Sequence, residues 1–379
     1  MRRILFVANG HGETAIAARI ALELARPGPA GLFALDLFPV VGIGAGAAPL
    51  AVVGPRRVLP SGGLVAMGNV RAFARDLGAG FAGLFARQVA FMLTLAAYDA
   101  VVAVGDAYAL ALAFGARLPT LFVGTAKSVY VAPYGPFERT LLRRALRIFV
   151  RDDATADQLR SRGVPAEAPG NVIVDLIGAP GGAPAGTWLG LLPGSREEAY
   201  ADGVRLARVV RALAAGRPDV GGLLSLAPTL DAGRFANTLA RDGWDVSASA
   251  GAPDGGVIFT ARSGAARLAA WRGDLGPLFA ASSAVLGQAG TANEQAAAAG
   301  LPVVALDASG ADWYRMRQRR LLGDALLLVP GRPEEAAAAI ASLLGDEARR
   351  QAMSAAGRER MGPPGGAVAI ALAIAEAVA

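Results

Sequence analysis

Several short stretches of this chain combine small residues with a side chain able to do chemistry. The segment Val285-Leu286-Gly287-Gln288-Ala289-Gly290-Thr291-Ala292-Asn293-Glu294-Gln295 joins an apolar strand, a small-residue turn and a helix start. Small residues at 289 and 290 let a phosphate approach the backbone, and a helix opening near Thr291 presents free amides and a positive dipole end. Such a turn suits a pyrophosphate. One turn on, Glu294 can accept from the ribose hydroxyls of a nucleotide held there. Equally, Thr291 followed three residues later by Glu294 reads as a capping box that needs no ligand.

Leu191-Leu192-Pro193-Gly194-Ser195-Arg196 is a second strand end opening into a helix. Ser195 can cap that helix, and Arg196 can project over the carboxyl ends of the strands, where open α/β sheets bind ligands and a guanidinium would stabilise a departing pyrophosphate. The plainer reading is an ordinary cap and a solvated arginine. At the N-terminus, Gly10-His11-Gly12-Glu13-Thr14-Ala15 satisfies G-x-G-x-x-A, and Asp36 follows where the ribose-binding acid of a dinucleotide fold would stand. The same glycines can instead free the backbone around an acceptor sugar, with His11 as a base in a polar turn. Asp106, in Val104-Gly105-Asp106-Ala107-Tyr108, is either the cap of an apolar helix or a general base.

Composition narrows the chemistry. With no cysteine and one histidine, thiolate and histidine-rich metal sites are excluded, and no Asp-x-Asp triplet offers a carboxylate pair to a metal, so no metal and no cofactor is expected. The net charge is +6, but Lys127 is the only lysine and the 31 acidic residues are interleaved with the 37 basic ones, so nucleic acid is not an expected partner. Hydrophobic residues at 54% against 18% charged supply enough material for large buried sheets, and 379 residues exceed a single core. The opening Arg2-Arg3-Ile4-Leu5-Phe6-Val7-Ala8 stops at Asn9 and reads as a strand, not a signal peptide. The apolar stretch 89–114 is broken by Asp99 and Asp106, too soon for a membrane span.

To position these turns, short apolar strands must alternate with helices in βαβ fashion. Strands are expected at 3–8, 32–37, 100–104, 119–123 and 147–151, then at 187–192, 221–227, 256–260, 283–287, 302–306 and 326–329, with helices over 14–25 and 198–215. The run Gly178-Ala179-Pro180-Gly181-Gly182-Ala183-Pro184-Ala185-Gly186 is the clearest linker. The expected fold is α/β, with two Rossmann-like domains whose parallel sheets face a central cleft. The first spans 1–180 and is completed by an apolar C-terminal helix within 362–379; the second spans 186–361.

The Gly10-His11-Gly12-Glu13 turn, the Leu192–Arg196 turn and the Gly290–Gln295 segment, in this order and spacing, resemble the lipid-A-disaccharide synthase group and its bacterial relatives over nearly the whole chain. The resemblance implies a GT-B fold and an inverting, metal-independent transfer from a UDP-sugar to a lipid or glycolipid acceptor. It implies nucleotide contacts from Gly194, Ser195, Arg196, Gly290, Thr291, Asn293 and Glu294, acceptor-side roles for Gly10, Gly12 and Glu13, and Asp106 or His11 as the base. Residues 70–93 carry Val70, Phe73, Leu77, Phe81, Leu84, Phe85 and Phe91 with Arg71, Arg75 and Arg87, a pattern for resting on an anionic bilayer, and the spacing of four is expected to line Arg139, Arg143 and Arg147 along one helix face. The expected location is the cytoplasm, with peripheral contact to the inner face of the membrane. A UDP-sugar epimerase of the same fold, a dinucleotide-dependent oxidoreductase and a non-catalytic nucleotide-binding relative stand as alternatives.

Overall fold

The computed structural model describes the chain apart from residues 27–32, 45–46, 58–76, 126, 250–255, 308–312 and 379, and apart from the side chains of His11, Trp313 and Tyr314. The chain divides into two compact units, Met1–Leu176 with Gly362–Ala379, and Ile177–Met361. The division falls just ahead of the linker 178–186, which therefore belongs to the second unit.

Strands β1 (Arg2–Ala8), β2 (Phe33–Pro39), β3 (Ala51–Val52), β4 (Ala100–Gly105), β5 (Thr120–Gly124), β6 (Arg147–Val150) and β7 (Ala166–Glu167) form the first sheet. Their order is β3-β2-β1-β4-β5-β6-β7, and every pair is parallel. Parallel strands covered on both faces need continuous apolar runs, and β1 and β4 supply them. Because side chains alternate across a strand, Ile4, Phe6 and Ala8 of β1 enter one core layer while Leu5 and Val7 enter the other.

The first of those layers is finished by the last helix, Gly366–Ala377, whose Ala367, Ile370, Ala371 and Ile374 are buried in it. Ile370 and Ile374 together contribute on the order of 4 kcal/mol of burial free energy. Asp175 fixes the helix start, its two carboxylate oxygens accepting from the amides of Gly365 (2.6 Å) and Ala367 (2.7 Å). Gly170 lets the two segments meet: a Cβ there would lie 2.7 Å from the Gly366 nitrogen.

The second sheet contains β8 (Thr187–Leu192), β9 (Val220–Ser225), β10 (Asp245–Ala248), β11 (Gly256–Ser263), β12 (Ala266–Arg272), β13 (Ser282–Gly287), β14 (Val303–Asp307) and β15 (Leu326–Pro330) in the order β10-β11-β12-β9-β8-β13-β14-β15. Its core half is parallel. At one edge β11 runs antiparallel to both of its neighbours, β10 and β12. A turn at Gly264, with φ of +58°, permits that hairpin. Helix Ala199–Leu213 covers the sheet with Ala199, Tyr200, Gly203, Leu206, Ala207, Val210 and Leu213, the three-and-four spacing of one buried helical face.

Every strand expected from the sequence is found, residue 32 lying outside the described residues; β3, β7, β10 and β12 were not expected. No helix among the described residues is long and apolar enough to cross a membrane. Residues 70–76 of the expected membrane-facing stretch lie outside the described residues. The remainder forms helix Phe81–Leu93, which buries Leu84, Gln88 and Met92 and exposes Phe85 and Leu93. The arginine row is corrected. Arg139 lies in helix Pro136–Leu142 and donates to the Tyr134 carbonyl, Arg143 donates to Arg162 and Gly163 carbonyls, and Arg147 begins β6 and pairs with Glu167. They share no helix face.

Candidate functional site

In the second sheet β8 is flanked by β9 on one side and β13 on the other, so the chain leaves it in opposite directions and opens a crevice at the carboxyl ends of these strands. A cavity of about 500 Å³ occupies it. The turns leaving β8 and β13 form two of its walls, bringing Gly194, Ser195 and Arg196 together with Gly290 and Thr291, five residues singled out from the sequence. The amides of Gln288 and Ala289 both donate to the Leu192 carbonyl (2.8 and 3.0 Å), which ties one turn to the other. Gly194 has φ of +110°, and no atom lies within 4 Å of where its Cβ would stand.

Helix Thr291–Ala298 begins without a side-chain cap; Gly290 holds the cap position and Thr291 is the first helical residue. The capping-box reading of Thr291 and Glu294 is therefore overturned. The amides of Asn293 and Glu294 turn back to the Gly290 carbonyl (3.1 and 3.2 Å), whereas those of Thr291 and Ala292 keep no backbone partner among the described residues. An uncapped helix start on a cavity wall offers donors and partial positive charge to an anion. Arg196 adds a full charge. It is exposed on the same wall and forms no ion pair among the described residues, while its neighbour Glu197 is taken by Arg234.

Ser195 does not cap the next helix, which starts at Ala199 behind Glu198. Its carbonyl instead accepts from the Thr229 hydroxyl at 2.8 Å. Asn293 and Glu294 lie off the cavity wall. Asn293 is fully buried, its amide donating to the Gly287 carbonyl (3.2 Å) and to Gln318 Oε1 (3.3 Å), which braces the end of β13; Glu294 is buried in the first turn. Sequence reasoning missed Asp202, Ser225 and Gly273, which also line the cavity. Burial holds the Asp202 carboxyl above its ordinary range, against the opposing pull of Arg205 at 3.3 Å. Its only sequence signal is a place in the first turn of the helix that follows β8.

The first sheet has its own switch point, between β1 and β4. Asn9 leaves β1 there and donates to Asp106 Oδ2 at 2.8 Å, while Asp106 Oδ1 accepts from the amides of Tyr108 (3.0 Å) and Ala109 (3.1 Å). Asp106 is thus the cap of helix Ala107–Ala113, with both oxygens engaged. Asn9 Oδ1 is buried without a partner among the described residues. Glu13 accepts from the Thr125 hydroxyl at 3.4 Å, and Gly10 makes room for it, since a Cβ at residue 10 would lie 2.4 Å from Glu13 Oε2. Gly12 is exposed, with open space where a Cβ would stand. His11 begins helix His11–Leu24, and its side chain lies outside the described residues. Asp36 is buried and engaged by Arg3 Nε (2.8 Å) and the Tyr98 hydroxyl (2.7 Å), so it is not available to a ribose. Burial, joined by this carboxylate, pushes the Tyr98 phenol up to about 12.

Two α/β units in one chain, each with polar turns at a sheet switch point, define the GT-B class of fold. Solved structures of that class match along the whole chain. A Listeria monocytogenes protein assigned as UDP-N-acetylglucosamine 2-epimerase aligns with a TM-score of 0.61 at 15% identity, covering 98% of this chain and 95% of its own. MurG of Acinetobacter baumannii aligns at 0.54 and 14%, covering 99% of this chain and all of its own. The UDP-GlcNAc 2-epimerase of Neisseria meningitidis, bound to UDP-GlcNAc, aligns at 0.52 and 13%, covering 99% of each chain. No protein-family model matches the sequence, and no curated protein does.

Proposed function

We propose that this chain is an inverting, metal-independent glycosyltransferase of the lipid-A-disaccharide synthase kind, moving a sugar from a UDP-sugar to a hydroxyl of a lipid-linked acceptor. The observation that carries the reading is the cavity of about 500 Å³ lined by an uncapped helix start and by Arg196, which forms no ion pair among the described residues. Both are groups that bind a diphosphate and stabilise the charge it gains on leaving. Structures of the same fold that are named for UDP-GlcNAc support a UDP-sugar as the ligand.

In the proposed step the acceptor oxygen bonds to the anomeric carbon from the face opposite the leaving group. The bond from that carbon to the diphosphate oxygen breaks, and UDP departs with the electron pair. The acceptor proton passes to Asp106 Oδ2. That oxygen now accepts from the Asn9 amide, and a turn of the amide would present the unpartnered Asn9 Oδ1 to the new O–H. Next to Asp106, Phe85 stacks on Tyr108 with ring centroids 6.3 Å apart and neighbours Phe81 at 6.2 Å, an aromatic surface suited to the apolar part of a lipid-linked acceptor. Purified protein mixed with a panel of UDP-sugars tests the claim: calorimetric UDP binding and UDP release dependent on acceptor are expected, and a protein that does neither refutes it.

The names of two of these structural neighbours favour a second reading, a UDP-sugar epimerase. Incubation with UDP-N-acetylglucosamine alone decides, because an epimerase converts it without any acceptor.

A further inference from the structure

Lys127 is the only lysine among 37 basic side chains. Its tie to Glu138 is also the only ion pair among the described residues that arginine does not make. As a strut an arginine serves as well or better, as Arg147 shows by holding both oxygens of Glu167. What the guanidinium cannot supply is a compact ammonium with three tetrahedral donors.

The surroundings give those donors a task. Lys127 follows β5, the strand beside β4, so it stands one strand over from Asp106. Its Nζ lies 2.6 Å from Glu138 Oε2, an oxygen that also accepts from the Gly135 amide at 2.7 Å. The pair is only part-buried, with side chains 28% and 18% exposed. Two ammonium N–H groups and Glu138 Oε1 have no partner among the described residues. Beneath them is Tyr134, its ring centroid 5.6 Å from Nζ and its hydroxyl buried without a partner among the described residues. Burial and the nearby charges of Glu138, Asp106 and Asp152 hold that phenol far above its ordinary value, so the pair and the candidate base act on one side chain.

An adjacent donor and acceptor on part-buried side chains match two neighbouring hydroxyls. We propose that Lys127 Nζ and Glu138 Oε1 clamp a vicinal diol of the acceptor sugar, the ammonium donating to one hydroxyl oxygen and the carboxylate accepting from the next. The inference rests on the reading that the first unit holds the acceptor.

Because lysine is unique, acetylation by N-hydroxysuccinimidyl acetate can reach only Lys127 and the terminal amine, which peptide masses separate. Methyl glucoside is expected to slow acetylation of Lys127 and leave the terminal amine unaffected. Tetrahydropyran-2-methanol, which lacks the diol, is expected to protect neither. Protection by inorganic phosphate but not by the glucoside, or by neither, overturns the proposal. In transfer assays Lys127→Arg, which keeps the charge and the tie, is expected to raise the acceptor KM by roughly tenfold or more with a smaller change in kcat. Its melting temperature and UDP affinity should match the wild type. A Lys127→Arg enzyme with an unchanged acceptor KM makes the pair a strut and overturns the clamp. Failure of the wild type to bind UDP would sink the transferase reading instead, and leaves the protection result to decide the diol site by itself.

Discussion

Replacing Arg196 with alanine separates a ligand contact from a structural one. Arg196 is exposed and forms no ion pair among the described residues, so its loss should change folding stability by no more than about 0.5 kcal/mol, the range of ordinary surface substitutions. A hydrogen bond to a charged group is worth about 1.5–3 kcal/mol. On an open cavity wall the lower part of that range applies, so UDP affinity should fall roughly 10- to 30-fold. The loss should shrink as salt rises, because a part-exposed pair is screened over a Debye length of about 10 Å at 0.1 M ionic strength. Isothermal titration with UDP at two salt concentrations measures both effects. Arg234→Ala is the control: it removes an exposed arginine already paired with Glu197 and should leave UDP affinity unchanged. An Arg196→Ala protein that binds UDP within about twofold of the wild type, or a control that loses as much, refutes the diphosphate seat, since a difference under 0.5 kcal/mol is too small for a charged hydrogen bond.

Three further outcomes are expected. Asp106→Asn keeps an oxygen to cap Tyr108 and Ala109, and Asn9 can turn its free oxygen toward the new amide, so the melting temperature should hold while transfer is lost; Asp106→Ala should in addition cost about 1–2 kcal/mol of stability in a denaturant titration. Gly287→Ala would place a Cβ 1.9 Å from Asn293 Oδ1 and should destabilise by about 1–3 kcal/mol in the same titration, since neither group can move in a filled core. Asp202 is held above its ordinary range by burial, so the native state keeps its proton longer than the unfolded chain does. Its contribution therefore falls as pH rises from the ordinary carboxyl value through the raised one, and Asp202→Asn should raise the melting temperature at neutral pH with a gain that fades in acid.

The strands that build both sheets were legible because parallel strands buried on both faces are unbroken apolar runs, as in Ile4–Ala8 and Ala100–Val104. Strand β12 was not, because Ala266-Arg267-Leu268-Ala269-Ala270-Trp271-Arg272 pairs antiparallel with β11 and carries arginines that read as surface. Two-residue strands such as β3 and β7 leave no pattern to read. At the site, Gly194–Arg196 and Gly290–Thr291 were found because a strand, a small turn and a helix are contiguous in sequence. Asn293 enters as a ligand contact only through the resemblance, and its helical position turns it inward to Gly287 and Gln318. The Thr291-x-x-Glu294 pattern misled because a cap is defined by backbone angles, and Gly290 takes that place. Asp202 has no motif, and only the fold brings it to the cavity.

The last helix has a consequence for how the protein is made. Since Gly366–Ala377 completes a core layer begun by β1, the first unit is assembled from two separate stretches, Met1–Leu176 and Gly362–Ala379, whereas Ile177–Met361 is uninterrupted. On the ribosome the second unit can finish folding first, and the Met1–Leu176 stretch must wait with an apolar flank uncovered until residues 366–377 emerge. Deleting that helix would leave the flank permanently bare, so the deletion should yield aggregation rather than a slightly smaller folded protein.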